Sequence, residues 1–232
     1  MNNFKKILSN LLLLSVFFVS SQKNQSNRLG DTVSDTIPYL KKQGTATQLI
    51  VKNKPYLILG GELGNSTFTS LENMVTVWPK LKAMNLNTIL APVFWELIES
   101  EEGNFDFRLL DDLLFEARNN NFKIVLLWFG SWKNSMSSHA PAWVKINQKK
   151  YPRARDKNGT SQEILSPFSE NNLQADRLAF KTLMQHLRDV DGKEQTVIMV
   201  QPENEIGMLP SARDYSLMAN KKYNSKVPVE FI

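Results

Sequence analysis

Carboxylates, amides and tryptophans recur at the ends of four short apolar runs in this 232-residue chain. The first run leads into Glu62 and Asn65, and the second into Trp95, Glu96 and Glu99. The third leads into Trp128, Trp132, Lys133 and Asn134, and the fourth into Gln201, Glu203, Asn204 and Glu205. A cleft built from such ends suits a polyhydroxylated ring. Carboxylates and amides hydrogen-bond hydroxyls, and indoles offer flat apolar faces to C–H groups. Asn65 and Trp132 are read as binding residues in that cleft. One such end would mean little, but four in succession carrying the same residue types define a candidate saccharide site.

The elements that must carry these ends follow from hydrophobic spacing. Gln48–Val51 and the apolar run Tyr56–Leu59, around the polar turn Lys52-Asn53-Lys54, predict a β-hairpin. Leu71–Met84 has helical spacing through Leu71, Met74, Val75, Trp78, Leu81 and Met84. Strands are predicted at Thr88–Val93, Lys123–Phe129 and Thr196–Val200. A helix is predicted over Leu109–Arg118, closed by Asn119-Asn120-Asn121. Another opens at Asn171 or Asn172 and runs to about Val190, with Leu173, Leu178, Phe180, Leu183 and Leu187 as its apolar members. A long loop between strand and helix holds Trp132, Pro141 and Trp143.

Near-continuous apolar strands, each followed by a helix, predict a parallel sheet with its outer face covered. The order fits an α/β fold, either a TIM-type (β/α)8 barrel or a doubly wound sheet. Gly60-Gly61 leads into Glu62 rather than into a phosphate-cradling glycine turn, which counts against a nucleotide fold. In a barrel, the C-terminal strand ends are where function gathers.

Composition narrows the chemistry further. The chain has no Cys, which excludes a disulfide framework, a Cys-ligated zinc, an iron–sulfur cluster and a thiol nucleophile. Two His make a His-rich metal site unsupported, and no metal or cofactor is expected. The net charge of +5 falls to +3 without residues 1–21, and the basic run Lys149, Lys150, Arg153 and Arg155 reads as a solvated face, so no nucleic-acid partner is expected. Residues 1–21 read as a signal peptide: Lys5 and Lys6, then the apolar Ile7–Val19, then Ser20 and Ser21. That predicts export to a periplasmic, cell-surface or extracellular location. Residues 22–46 read as a polar linker with one short helix near Ile37–Lys42, ahead of a domain over 47–232.

The segment Gln201-Pro202-Glu203-Asn204-Glu205-Ile206-Gly207 resembles the acid/base element of retaining glycoside hydrolases of clan A, and as a whole it is similar to the family 35 β-galactosidases. Leu86–Ile89, Val93–Glu99, Gly103–Phe107 and Pro141-Ala142-Trp143 fall in register with the same family, so the resemblance spans roughly residues 48–210. It implies Glu205 as general acid/base and Asn204 as the residue that binds the sugar 2-hydroxyl. Glu203, Glu99 and Trp95 would line the sugar subsite. The chain departs from the family at Trp95-Glu96, where Trp-Asn is typical, at Gln201-Pro202 and at Gly61-Glu62-Leu63.

A retaining mechanism needs a second carboxyl about 5–5.5 Å from the acid, which the resemblance locates on a seventh strand. Four strands are read here, so the expectation is the first half of a barrel, about four β/α units preceded by a short hairpin, without its nucleophile. The expected partner is a β-linked oligo- or polysaccharide. The rival reading is a non-catalytic carbohydrate-binding protein, or an inactive remnant, using the same cleft. Unpaired edges of a half barrel would also invite self-association. Simpler readings apply elsewhere: Trp78, Met74 and Met84 as core, Trp143 as a loop anchor, Glu101 and Glu102 as solvated acids, His139 and His186 as structural or exposed.

Overall fold

The computed structural model describes residues 37–208 and 211–232. The signal-peptide reading and most of the linker fall outside the described residues. The part of the linker that is described is a strand rather than a helix. Strand β1 (Tyr39–Gln43) pairs antiparallel with β2 (Ala46–Val51), and β2 with the two-residue β3 (Lys54–Pro55). Gly44, at φ +60, takes the left-handed turn between the first two. The predicted hairpin is thus three-stranded, and Tyr56–Leu59 is not its second arm. Leu57 is 75% exposed, and the run leads instead into the first parallel strand.

That parallel sheet is the frame of the molecule. Strands β4 (Gly60–Glu62), β5 (Thr88–Phe94), β6 (Lys123–Lys133) and β9 (Val197–Asn204) lie in that order and run parallel. Strands β7 (Arg153–Arg155) and β8 (Ser161–Leu165) form a separate antiparallel hairpin in the connection from β6 to β9.

Between β4 and β5 the expected single helix is two, α1 (Leu71–Val75) and α2 (Trp78–Ala83). Pro79 sits in the first turn of α2, where its missing N–H costs nothing. Deeper in one continuous helix it would have broken a hydrogen bond and met the preceding turn. Met84 follows α2 and is 65% exposed, not core, whereas Met74 is fully buried. Helix α3 (Trp95–Ile98) is a single turn at the end of β5, followed by α4 (Arg108–Asn119), which buries Leu110, Leu113, Leu114 and Ala117. Helix α5 (Ala142–Ile146) lies in what reads in sequence as a loop.

Helix α6 (Glu170–Asp191) starts where the Ser169 hydroxyl accepts from the Asn172 N–H, an ordinary N-cap. Its inward stripe is Asn172, Ala179, Leu183 and Leu187, while Leu173 and Leu178 are more than half exposed. Helix α7 (Leu217–Tyr223) follows the sheet, capped by Ser216.

Side chains alternate across a strand, and β6 shows both consequences. Ile124, Leu126 and Trp128 join the core beneath the helices, with Ile89, Leu113 and Leu183. Val125, Leu127 and Phe129 face the other side, where they pack with Phe94, Ile198 and Val51 of β2. Asp191 ties the end of α6 to the start of β9. It is 3% exposed, pairs with Arg118 at 2.7 Å and accepts from the Val197 N–H at 2.7 Å.

Candidate active site

The C-terminal end of β9 is stitched to the end of β6 one residue at a time. Glu203 Oε2 accepts from the Trp132 N–H at 2.7 Å. Asn204 Oδ1 accepts from Lys133 Nζ at 3.0 Å, and these two residues are register partners. The Glu205 carbonyl accepts from the Ser135 N–H at 3.0 Å. Lys133 also lies over the Phe129 ring at 4.8 Å, which holds its ammonium above the sheet end. Asn204 is half-buried and the Glu205 side chain is exposed. Glu203 and Glu205 have φ of +61° and +49°, so the turn carrying the Asn-Glu pair is left-handed at two non-glycine residues.

Glu203 is half-buried and lines a cavity beside Trp132. Its carboxyl turns back under the sheet end to meet Asp176 of α6. Asp176 Oδ1 accepts from the Trp128 indole N–H at 2.9 Å. The single Ser131 N–H reaches Asp176 Oδ2 at 2.9 Å and Glu203 Oε1 at 3.2 Å. Burial, with the adjoining Asp176 carboxylate, pushes the Glu203 carboxyl up to about 10. Glu203 therefore holds its proton at neutral pH and donates it toward Asp176. Gly130 makes the approach possible. A Cβ there would stand 2.3 Å from Trp128 Nε1, 2.6 Å from Asp176 Oδ1 and 2.8 Å from Glu203 Oε1.

The pair lies at the wall of a cavity of about 320 Å³ between β6, β9 and α6, whose apolar lining includes Trp128, Trp132, Phe180 and Pro202. Trp132 is the one sequence-selected tryptophan in this lining with partial exposure.

Trp95 and Glu99 are brought together, but inside the protein. Trp95 has no exposed surface and Glu99 is 2% exposed. The Trp95 indole donates to Glu99 Oε2 at 2.7 Å, and the Gly103 N–H donates to Oε1 at 2.8 Å. Trp143 packs edge-on against Trp95 and donates to the Glu99 carbonyl at 3.0 Å, so it is indeed an anchor of this loop. The pair closes the turn after β5 and presents no surface to a ring. Asn65 is exposed in the loop after β4.

Glu96, at the second strand end, gathers two side chains from the connection after β6. His139 Nδ1 meets Glu96 Oε1 at 2.9 Å, and Lys145 Nζ meets Glu96 Oε2 at 3.5 Å. The imidazole packs on Phe94 and Phe129, with ring centroids at 4.6 and 5.7 Å. The signal for Glu96 was its place where the family typically has Asn. Asp176 had a different signal: it is an acid one turn beyond Asn172, on the inward stripe of α6. Glu102, read as solvated, pairs with Lys150 at 2.7 Å. Among the described residues no group of three or more His, Asp or Glu is arranged to hold a metal ion.

The parallel α/β units have the fold of part of solved β-galactosidases. The β-galactosidase from Bacillus circulans sp. alkalophilus matches with a TM-score of 0.56 and 20% identity, over 72% of this chain and 23% of that one. That from the psychrophilic Marinomonas ef1 matches with a TM-score of 0.56 and 16% identity, over 70% and 24%. In sequence, the family model described as glycosyl hydrolases family 35 matches residues 48–232. The chain belongs to that family. It is 27% identical over 198 residues to the β-galactosidase of Xanthomonas manihotis, a match covering 80% of this chain and 29% of that relative.

Proposed function

We propose that this chain carries the acid/base half of a retaining glycoside hydrolase acting on β-galactosides or related β-glycosides. The observation that carries the reading is the position of Asn204-Glu205 at the end of the fourth parallel strand, within the segment matched by the family. Glu205 protonates the leaving glycosidic oxygen, and Asn204 hydrogen-bonds the 2-hydroxyl while Lys133 holds its amide. Trp132 and Asn65, beside the same ends, are the proposed aromatic and amide contacts to the sugar. The four strands are the first part of a (β/α)8 barrel. The nucleophile belongs to a seventh strand, outside the four described here, and attacks the anomeric carbon from the opposite face. Residues 1–21 direct export.

The assay is turnover of a chromogenic β-galactoside by the purified 232-residue chain, beside a galactose titration. No turnover is expected, with saturable binding that Asn204→Ala weakens. Turnover abolished by Glu205→Gln would show that the second carboxylate lies within these residues. Absence of any saccharide binding would overturn the reading of this end of the sheet as a sugar site. Among the described residues β4 and β9 each leave one edge unpaired, so self-association is proposed as well. A monomer by sedimentation would reject it.

A further inference from the structure

We propose that Asp176 is a positioning residue for Glu205: Asp176 and Glu203 share one proton, and the pair, relieved of its mutual repulsion, pins the left-handed turn that presents Asn204 and Glu205. The inference rests on the reading of Glu205 as the acid/base.

The donors that reach the two carboxyl groups are the Trp128 indole and the backbone N–H groups of Ser131 and Trp132, and all are neutral. Three neutral donors cannot offset two adjoining anions. The cations nearby are committed elsewhere. Arg177, next to Asp176 on α6, donates from Nε to Gln174 at 3.0 Å. Lys133 of β6 bonds Asn204 and Asn134. Asp214, behind Ser166 on the far wall of the cavity, is another acid and accepts from the Ser166 hydroxyl. Glu205 itself is exposed. A proton held between Asp176 and Glu203 is therefore the compensation the site supplies, as in other close carboxyl pairs.

The proton matters to Glu205 through the backbone. A left-handed residue other than glycine is strained, because its Cβ crowds the following carbonyl oxygen, and two such residues flank Asn204. The Glu203 carboxyl, bonded to two successive N–H groups of β6, is the side-chain anchor on the N-terminal side of that turn. If both carboxyls were charged, repulsion would drive Glu203 out, and Asn204 and Glu205 would leave with it. This explains why an acid 29 residues upstream of Glu205, on α6, belongs to the site.

The test is a pH titration by NMR with isotope-labelled glutamate carboxyls, the Glu203 signal being assigned with Glu203→Gln. In the wild-type chain Glu203 is expected to titrate far above the other carboxylates, and the amide signals of Glu205 and Ser135 to shift with the same midpoint. In Asp176→Asn the amide donates to a charged Glu203, so that midpoint is expected to fall to the ordinary carboxylate range and the high-pH shift of Glu205 to vanish. Glu203 titrating with the other carboxylates in the wild type would overturn the proposal, whatever the variant does. So would a Glu205 amide indifferent to the Glu203 transition. Galactose added to the same wild-type sample tests the catalytic reading separately. A Glu205 signal that follows Glu203 but ignores the sugar would remove the acid/base role and leave the proton-sharing clamp.

Discussion

Glu203 on the fourth parallel strand accepts the backbone N–H of Trp132, on the third, at 2.7 Å. A side chain thus continues the parallel ladder past the point where regular pairing stops, since register shifts between Trp128 and Lys133 interrupt it. The motif residue nearest the expected catalytic pair works as a strand-end tie, and the residues after it are carried into place by that tie.

Stability is expected to fall as pH rises. The Glu203 carboxyl is raised from 4.5 to about 10 in the folded chain, so the native state keeps a proton that the unfolded chain releases within this window. Its contribution is full below the unfolded value and is lost as pH climbs through the folded one. The urea midpoint should drop between about pH 6 and about pH 10, and Glu203→Gln should flatten that slope. Lys123, whose ammonium burial pushes down, acts in the opposite sense. The difference between the wild type and the Gln variant isolates the carboxyl. Identical slopes would rule the effect out.

Gly130→Ala is expected to destabilise by about 1–3 kcal/mol, the usual cost of forcing atoms into a filled site. The added methyl would meet three polar atoms at 2.8 Å or less, and Trp128 would have to release Asp176. Chemical denaturation gives the energy. Loss of the downfield indole N–H signal of Trp128 marks the cause.

Asp191→Ala should be among the most damaging changes, at about 3–5 kcal/mol, because it leaves the partly buried Arg118 guanidinium without its anion. It also strips the acceptor from the Thr196 and Val197 N–H groups. Denaturant unfolding measures this directly. A change below about 1 kcal/mol would mean that water replaces the carboxylate.

Trp95→Phe keeps the ring in the core but removes the donor to a Glu99 carboxylate that is 2% exposed. A loss of about 1–3 kcal/mol is expected for the unmet acceptor. Galactose binding should be unchanged, since neither side chain presents a surface. Weakened sugar binding in a stably folded variant would return Trp95 to the saccharide site.

The β/α alternation was legible because buried parallel strands are apolar throughout and helices repeat on a different period. Strand β5 is observed over Thr88–Phe94, and the helix expected at 109–118 is observed over Arg108–Asn119. Local chemistry that competes with periodicity was less legible. Pro79 divided one apolar period into two helices, and Tyr39–Gln43 became a strand only because Ala46–Val51 stood ready to pair with it. Isolated residues of that segment carry no strand signal; the hydrogen bonds come from the partner.

The sequence by itself determined that the chain alternates strand and helix, and that acids, amides and indoles gather at the strand ends. It also carried the Asn204-Glu205 pair within a family 35 segment, since all of these are properties of spacing and residue type along the chain. Only the tertiary structure decided which of those side chains look outward. Trp95 and Glu99 satisfy each other in the core, and Glu203 is withdrawn to share a proton with Asp176. A buried polar group needs a partner, and partners 27 residues apart are brought together by the packing of α6 against the sheet, which no local pattern records.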